Sequence, residues 1–478
     1  MLTINLFGIS WNKLFYLIAF LFLLFSVGCK KNNVQPIISV QTNPPSITGF
    51  SPAQGKPGDT ITITGSGLVQ NQITDTLEVN GAIASITKST NNSLSFIIPD
   101  TAITGKITLM VNGKQASSSN NLVVLQPDVY VVGNVSNDGQ HFVATLWKNG
   151  VASILPNPFG AATSQAIKVV ISGTDVNVLG YAFNGTFLLP VVWHNGVPTE
   201  LFLPGDPIWA GLQLDLIGED GYEIGVVPVN NVNVAAYSKN SVPVTLAGNL
   251  SSAYSVTVDG NDLYVAGSMM NTGNNFDAVY WKNGSTNILP NPNPGTSAGA
   301  SKVYISGNDV YVTGTSNSAA VIWKNGVATS VPGIGTITDM VVSGSDYYAI
   351  GNGANASAVW KNAVYTSLSN PFGSNLPSNI SQLLSTGNNV YAIGFAATPN
   401  HFQAVVWKNW TPIVLPNPYG DFISESLVGA SAGTGIYSAG YAKNATTEIA
   451  MLWKNGTAVP LGTTAQFSYA TGIAISYP

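Results

Sequence analysis

Five acids gather in a stretch otherwise poor in charge: Asp206, Asp215, Glu219, Asp220 and Glu223. Two carboxylates facing each other across a cleft can cleave a glycosidic bond, and a tighter group of oxygens suits a hard cation. Two tryptophans, Trp209 and Trp410, stand outside the repeat rule that governs most of the others. Flat aromatic faces of that kind stack on sugar rings and on cations. Trp209, Trp410, Asp215, Glu219, Asp220 and Glu223 are therefore the candidate ligand-contact residues. The three histidines, His141, His194 and His401, lack metal-ligand spacing, and the chain has no His-Glu-x-x-His motif and no cysteine pair. No catalytic residue, metal site or cofactor is assigned from the sequence.

Composition narrows the partners. Only 8% of the 478 residues are charged, against about a quarter in an average domain. The formal net charge is -5, and all 17 basic residues are lysine. Arginine, which grips phosphate and carboxylate with two parallel hydrogen bonds, is absent. This counts against nucleic acid and nucleotides as partners.

The elements that position these side chains begin with an N-terminal leader. Residues 1–28 carry one charge, Lys13, and an unbroken apolar run from Leu14 to Phe25. The run is short for a membrane span and fits the core of a signal peptide. It ends Ser26-Val27-Gly28-Cys29-Lys30-Lys31, and Cys29 is the one cysteine in the chain. Small residues before a cysteine resemble the lipobox of bacterial lipoproteins, although Ser26 stands where leucine is usual. That resemblance implies cleavage before Cys29 and a diacylglycerol on its sulfur. The membrane is then a partner through a lipid anchor. The implied address is the cell envelope, at the outer-membrane surface. Residues 29–45 are polar, with Pro36, Pro44 and Pro45, and read as an extended tether.

Residues 46–126 change to short alternating strands. Thr60-Ile61-Thr62-Ile63-Thr64-Gly65 alternates strictly, which marks a half-buried strand. Leu77-Glu78-Val79 and Lys106 to Val111 each run into an Asn-Gly turn, and Ser93 to Ile98 is closed by Pro99. The blocks Ile47-Thr48-Gly49-Phe50-Ser51-Pro52, Gly58-Asp59-Thr60 and Ile63-Thr64-Gly65-Ser66-Gly67-Leu68 resemble an IPT/TIG domain. The resemblance implies an immunoglobulin-like sandwich serving as a spacer or interaction module.

From 128 to 478 the chain repeats. Trp147-Lys148-Asn149-Gly150 returns near Trp193, Trp281, Trp323, Trp360, Trp407 and Trp453, about every 45 residues. A worn copy lies at Tyr237-Ser238-Lys239-Asn240 and is read as keeping an aromatic at Tyr237. A Tyr-x-x-Gly phrase precedes each copy, as in Tyr311-Val312-Thr313-Gly314, except that Asn177 replaces one tyrosine. Each unit reads as four short strands, so an all-β chain is expected: the sandwich, then an eight-bladed β-propeller, with seven blades as the alternative. The first unit lacks a leading strand, and Ala470 to Ser476 resembles the missing piece. The last strand should therefore close the ring and remove exposed sheet edges. The repeated phrases are also similar to HAF-type extracellular repeats.

The periodic tryptophans end apolar runs and are expected to pack between blades. The recurrent acids Asp175, Asp262, Asp309 and Asp346 follow Gly-x and are expected to bond their own turn backbone. The leading functional reading is a non-catalytic surface lipoprotein that binds an extracellular glycan or protein. A glycan hydrolase or lyase and a structural spacer are the competing readings.

Overall fold

The computed structural model describes residues 44–68, 75–160, 163–201, 213–246, 250–352, 357–433, 435–462 and 466–478. The candidate lipidation site Cys29, and Asp206 and Trp209, lie outside the described residues.

The described chain is all-β, an immunoglobulin-like sandwich followed by a propeller. One sandwich sheet orders Ser46–Ser51, Thr60–Ser66, Ser93–Ile97 and Ser85–Ser89. The other contains Lys114–Val124, Gly105–Val111 and Thr76–Val79. The alternation read in the sequence places Ile61, Ile63, Leu77, Leu94, Phe96, Ile107 and Leu109 in one shared core. The turns after Val79 and Val111 hold Asn80 and Asn112 at φ of 46° and 50°, as tight hairpins require.

Eight four-stranded blades follow among the described residues, which sets aside the seven-bladed alternative. Their innermost strands are Phe467–Ser476 in blade 1, Ser164–Ser172 in blade 2, Gln213–Ile217 in blade 3 and Ser251–Asp259 in blade 4. Ala298–Ser306, Asp339–Ser343, Ser378–Thr386 and Ser424–Ala432 serve blades 5 to 8. The innermost strand of blade 1 is the last in the chain and pairs antiparallel with Asp128–Ser136. The ring therefore closes as the sequence implied. The outermost strands keep a free edge, and prolines 198, 243, 412 and 460 sit in four of them, where a missing N–H blunts edge pairing.

The repeat phrases explain each other. Every periodic Trp is at most 1% exposed and fills the seam against the preceding blade. The indole Nε1 of Trp193, Trp323, Trp360 and Trp453 donates to the carbonyl of Pro156, Pro290, Pro332 and Pro416 at 2.7–3.1 Å. Those prolines belong to the linker arriving from the blade behind. The glycine of Tyr-x-x-Gly lies under this assembly. A Cβ at Gly180 would overlap the Gln165 carbonyl oxygen of the bulged inner strand and approach the Trp193 ring to 2.9 Å.

The turn face carries a second repeating unit. In blade 5, Lys324 Nζ lies 5.0 Å from the Tyr311 ring centre and 2.9 Å from Asp309. Asn325 Nδ2 donates to the same carboxylate at 2.7 Å. The hairpin acids thus hold the Lys-Asn of the neighbouring turn, which corrects the expectation that they serve their own turn backbone. Blade 2 lacks both partners at once: His194 replaces the lysine, Asn177 the tyrosine, and the two meet at 2.8 Å.

The sandwich docks on this face at blades 8 and 1. Lys56 Nζ stands 5.2 Å from the Tyr477 ring, and Pro57, Asp100, Tyr437 and Lys454 line one crevice. Blade 8 has Gly435 where blades 1 to 6 have the turn acid and blade 7 has Asn389, and Asp100 of the sandwich lines the same crevice as Lys454. The short connection is held as well: Leu125 N donates to Gly55 O at 2.9 Å, and Gln126 Nε2 to Ala102 O at 2.9 Å.

Removing one seam indole should be costly. Trp323→Ala deletes a fully buried ring together with its bond to Pro290, and a loss of about 3–5 kcal/mol is expected. Chemical denaturation of wild type and variant measures it. A loss no larger than that of the half-buried Lys324→Ala would show that the seams do not depend on the indoles.

Candidate functional site

Six of the inner strands carry a β-bulge at the same level, for example between Ala166 and Lys168 and between Ala300 and Lys302. The bulge rotates the strand, and the residue next after it has an equivalent by register in every blade, including blades 3 and 6, which pair without a bulge. Blades 2, 5, 6 and 7 place Lys168, Lys302, Asp339 and Gln382 there, and blades 1, 3, 4 and 8 place Gly472, Gln213, Ser255 and Val428. A cavity of about 380 Å³ opens at this level among blades 1, 2, 5, 6, 7 and 8. This is within the range of small-ligand sites.

The polar groups of the ring are held by neighbouring blades. Lys168 pairs with Asp215 of blade 3. Lys302 Nζ lies 3.4 Å from Asp339. Asp339 also accepts from the Tyr304 hydroxyl at 3.3 Å and from Leu383 N at 2.9 Å. Gln382 Oε1 accepts from Gly429 N at 2.8 Å, and the Thr471 hydroxyl donates to Ala166 O at 2.7 Å. Burial, with the Asp339 charge beside it, holds the Tyr304 hydroxyl well above the usual phenol range, so it stays a donor. The arrangement is preorganised: the side chains are fixed before any ligand arrives, which lowers the entropic cost of binding.

The sequence-selected residues separate. Asp215 pairs with Lys168 of the channel wall. Glu219 is exposed in the turn after Gly218. Asp220 belongs to the turn-face unit, 2.7 Å from Lys239 and 2.6 Å from Asn240. Glu223 is buried between blades 2 and 3. The four acids do not converge, and no group of three His, Cys, Asp or Glu able to hold a metal occurs among the described residues. Trp410 takes the turn position that glycine holds in other copies, at φ 71°, and packs against Tyr348 of blade 6 at 5.5 Å. It lies on the turn face, away from the cavity. His141 and His401 do occupy equivalent loops, capped by Asp138 and Thr398 three residues earlier.

Register corrects the reading of the worn unit. Glu223 pairs with Ser238, as Val265 pairs with Trp281 in the next blade. Ser238 therefore stands at the tryptophan position, and Tyr237 faces the other side of the strand. Among the described residues the seam between blades 2 and 3 has no indole; Leu179, Val192, Leu201 and Leu216 fill it beside the Glu223 carboxyl. Burial pushes that carboxyl up to about 7, opposed by the hydroxyl of Ser238, which donates at 3.0 Å.

A carboxyl whose folded pKa is raised stabilises the fold fully below its ordinary 4.5 and loses that contribution as pH rises through about 7. Melting temperatures of wild type should therefore fall relative to Glu223→Gln across that interval, by the equivalent of roughly 2–3 kcal/mol. Parallel curves for the two proteins would disprove the assignment.

Comparison with known proteins agrees with the first domain. Residues 45–124 match the family model of the IPT/TIG domain. No curated protein matches the chain in sequence. Similar solved structures include an auxiliary nutrient binding protein from Bacteroides thetaiotaomicron, 11% identical over 73% of this chain and 95% of that one, TM-score 0.32. Another from Bacteroides ovatus is 12% identical over 73% and 94%, TM-score 0.32. The β-propeller domain of the Trilobed protease from Pyrococcus furiosus is 8% identical over 63% and 98%, TM-score 0.37.

Proposed function

We propose that this protein is a non-catalytic, lipid-anchored binding protein of the cell envelope, whose propeller channel receives an extracellular ligand. One observation carries the reading. Seam and turn positions recur almost unchanged around the ring, whereas the post-bulge position breaks the period with Lys168, Lys302, Asp339 and Gln382 where the blades enclose a cavity. A purely structural ring has no need of lysine, aspartate and glutamine side chains at one equivalent place. The separation of the acids favours recognition over hydrolysis, since a glycosidase needs two carboxyls across one cleft.

The IPT/TIG domain then acts as a spacer that carries the propeller above the membrane, with Cys29 as its lipid anchor. Cys29→Ser should lose metabolic palmitate labelling and leave the membrane fraction. Retained membrane attachment in that variant would exclude lipidation at Cys29.

Ligand binding is tested on an array of extracellular glycans with the full-length protein and its Ser381→Trp variant. Ser381 lines the cavity from a bulge, so the indole should fill the space. Saturable binding that disappears in the folded variant is expected. Binding that survives unchanged would remove the channel as the site, and glycans recovered cleaved would move the protein to the enzymes.

A further inference from the structure

The cavity wall has two characters. Blades 8, 1 and 2 offer Leu427, Val428, Ile473 and Ile167, all hydrocarbon. Across from them, blades 5 to 7 offer Lys302, Asp339, Ser381 and Gln382. The charges on the wall are already matched, Lys302 by Asp339 and Lys168 by Asp215. An anionic ligand would compete with those carboxylates and leave them unpaired in a partly buried place. A hydroxyl does not compete, because it both donates and accepts. It can give its proton to Asp339 while taking one from Lys302, whose ammonium has three donors. Gln382 commits its carbonyl oxygen to Gly429 N, and its amide N–H groups have no hydrogen-bond partner among the described residues.

Blade 4 adds an aromatic. Tyr254 occupies the bulge position there, the place at which Ile167, Ser381, Leu427 and Thr471 line the cavity in other blades. Its side chain is 43% exposed, the hydroxyl 3.3 Å from Ser268. A ligand with a hydrocarbon face, a rim of hydroxyls and no net charge satisfies all three features, and that is the surface of a pyranose ring.

Resting on the channel-binding reading above, we infer that the ligand is a neutral sugar held at its terminal unit. The ring lays its C–H face on Leu427 and Ile473, and its hydroxyls meet Lys302, Asp339 and Gln382. Tyr254 stacks on the following unit at the channel rim.

The test is calorimetry and saturation-transfer NMR on the purified full-length protein. Glucose, galactose, mannose and N-acetylglucosamine are the probes, with glucuronic and galacturonic acids as anionic counterparts. At least one neutral sugar should titrate. The matching uronic acid and the Gln382→Leu variant should each weaken binding about tenfold or more, with the variant still melting as a cooperatively folded protein. Tyr254→Ala should weaken a disaccharide and leave the monosaccharide unaffected. Preference for the uronic acids would overturn the neutral-sugar assignment and leave the channel reading intact. No titration by any sugar would also overturn it, and the Ser381→Trp array result then decides separately whether the channel binds anything. Sugar binding untouched by both Gln382→Leu and Ser381→Trp would place the site elsewhere and overturn both.

Discussion

Five seams among the described residues rest on one buried contact, an indole edge-on to the carbonyl of the linker behind it. Trp193 on Pro156 and Trp360 on Pro332 show the arrangement at opposite parts of the ring. The indole brings the largest apolar area available to a side chain and one donor that must be satisfied when buried. The arriving linker offers that acceptor, and so the contact fixes both the spacing of neighbouring blades and the path of the chain between them. The glycine beneath it follows as a consequence, because the bulged inner strand and the indole together leave no room for a Cβ. Repeat identity in this protein is therefore packing identity.

Freedom lies where packing does not reach. The turn face repeats because Asp, Lys, Tyr and Asn satisfy one another in blades 1 and 3 to 6, and in blade 2 Asn177 and His194 change together. The channel wall has no such closed set. Its residues bond across blades, Lys168 to Asp215 and Gln382 to Gly429, so each position answers to one neighbour and can diverge alone. A scaffold of this kind separates stability from recognition by radius: rigid seams outside, variable wall inside.

That division governs what could be read from the chain. Hairpin turns, strand count and the closing role of residues near Ala470 were legible, because Asn-Gly pairs and a fixed period act locally. The worn blade was misread by one residue. The eye follows the aromatic Tyr237, but a strand alternates faces, and the cross-strand partner of Glu223 is Ser238. The channel residues went unnoticed for a different reason. A single lysine among serines and valines looks like drift, and its meaning appears only when partners 47 positions apart, such as Lys168 and Asp215, are brought together. The available signal was the departure itself: Lys168, Lys302, Asp339 and Gln382 are polar outliers at one register of an otherwise bland strand.

Closure by the last strand also sets an order of events. Thr471 bonds Val132 across 339 positions, so the first blade stays one strand short until nearly the entire chain has been made. For a chain that folds as it emerges, the sandwich and the middle blades can form early, while the two ends wait for each other. Any chain halted before Phe467 would present an unpaired inner strand edge and a gapped ring, an open form recognisable to proteases and to like copies of itself. The closing strand thus serves as a latch: the ring shuts only once Phe467–Ser476 has been made.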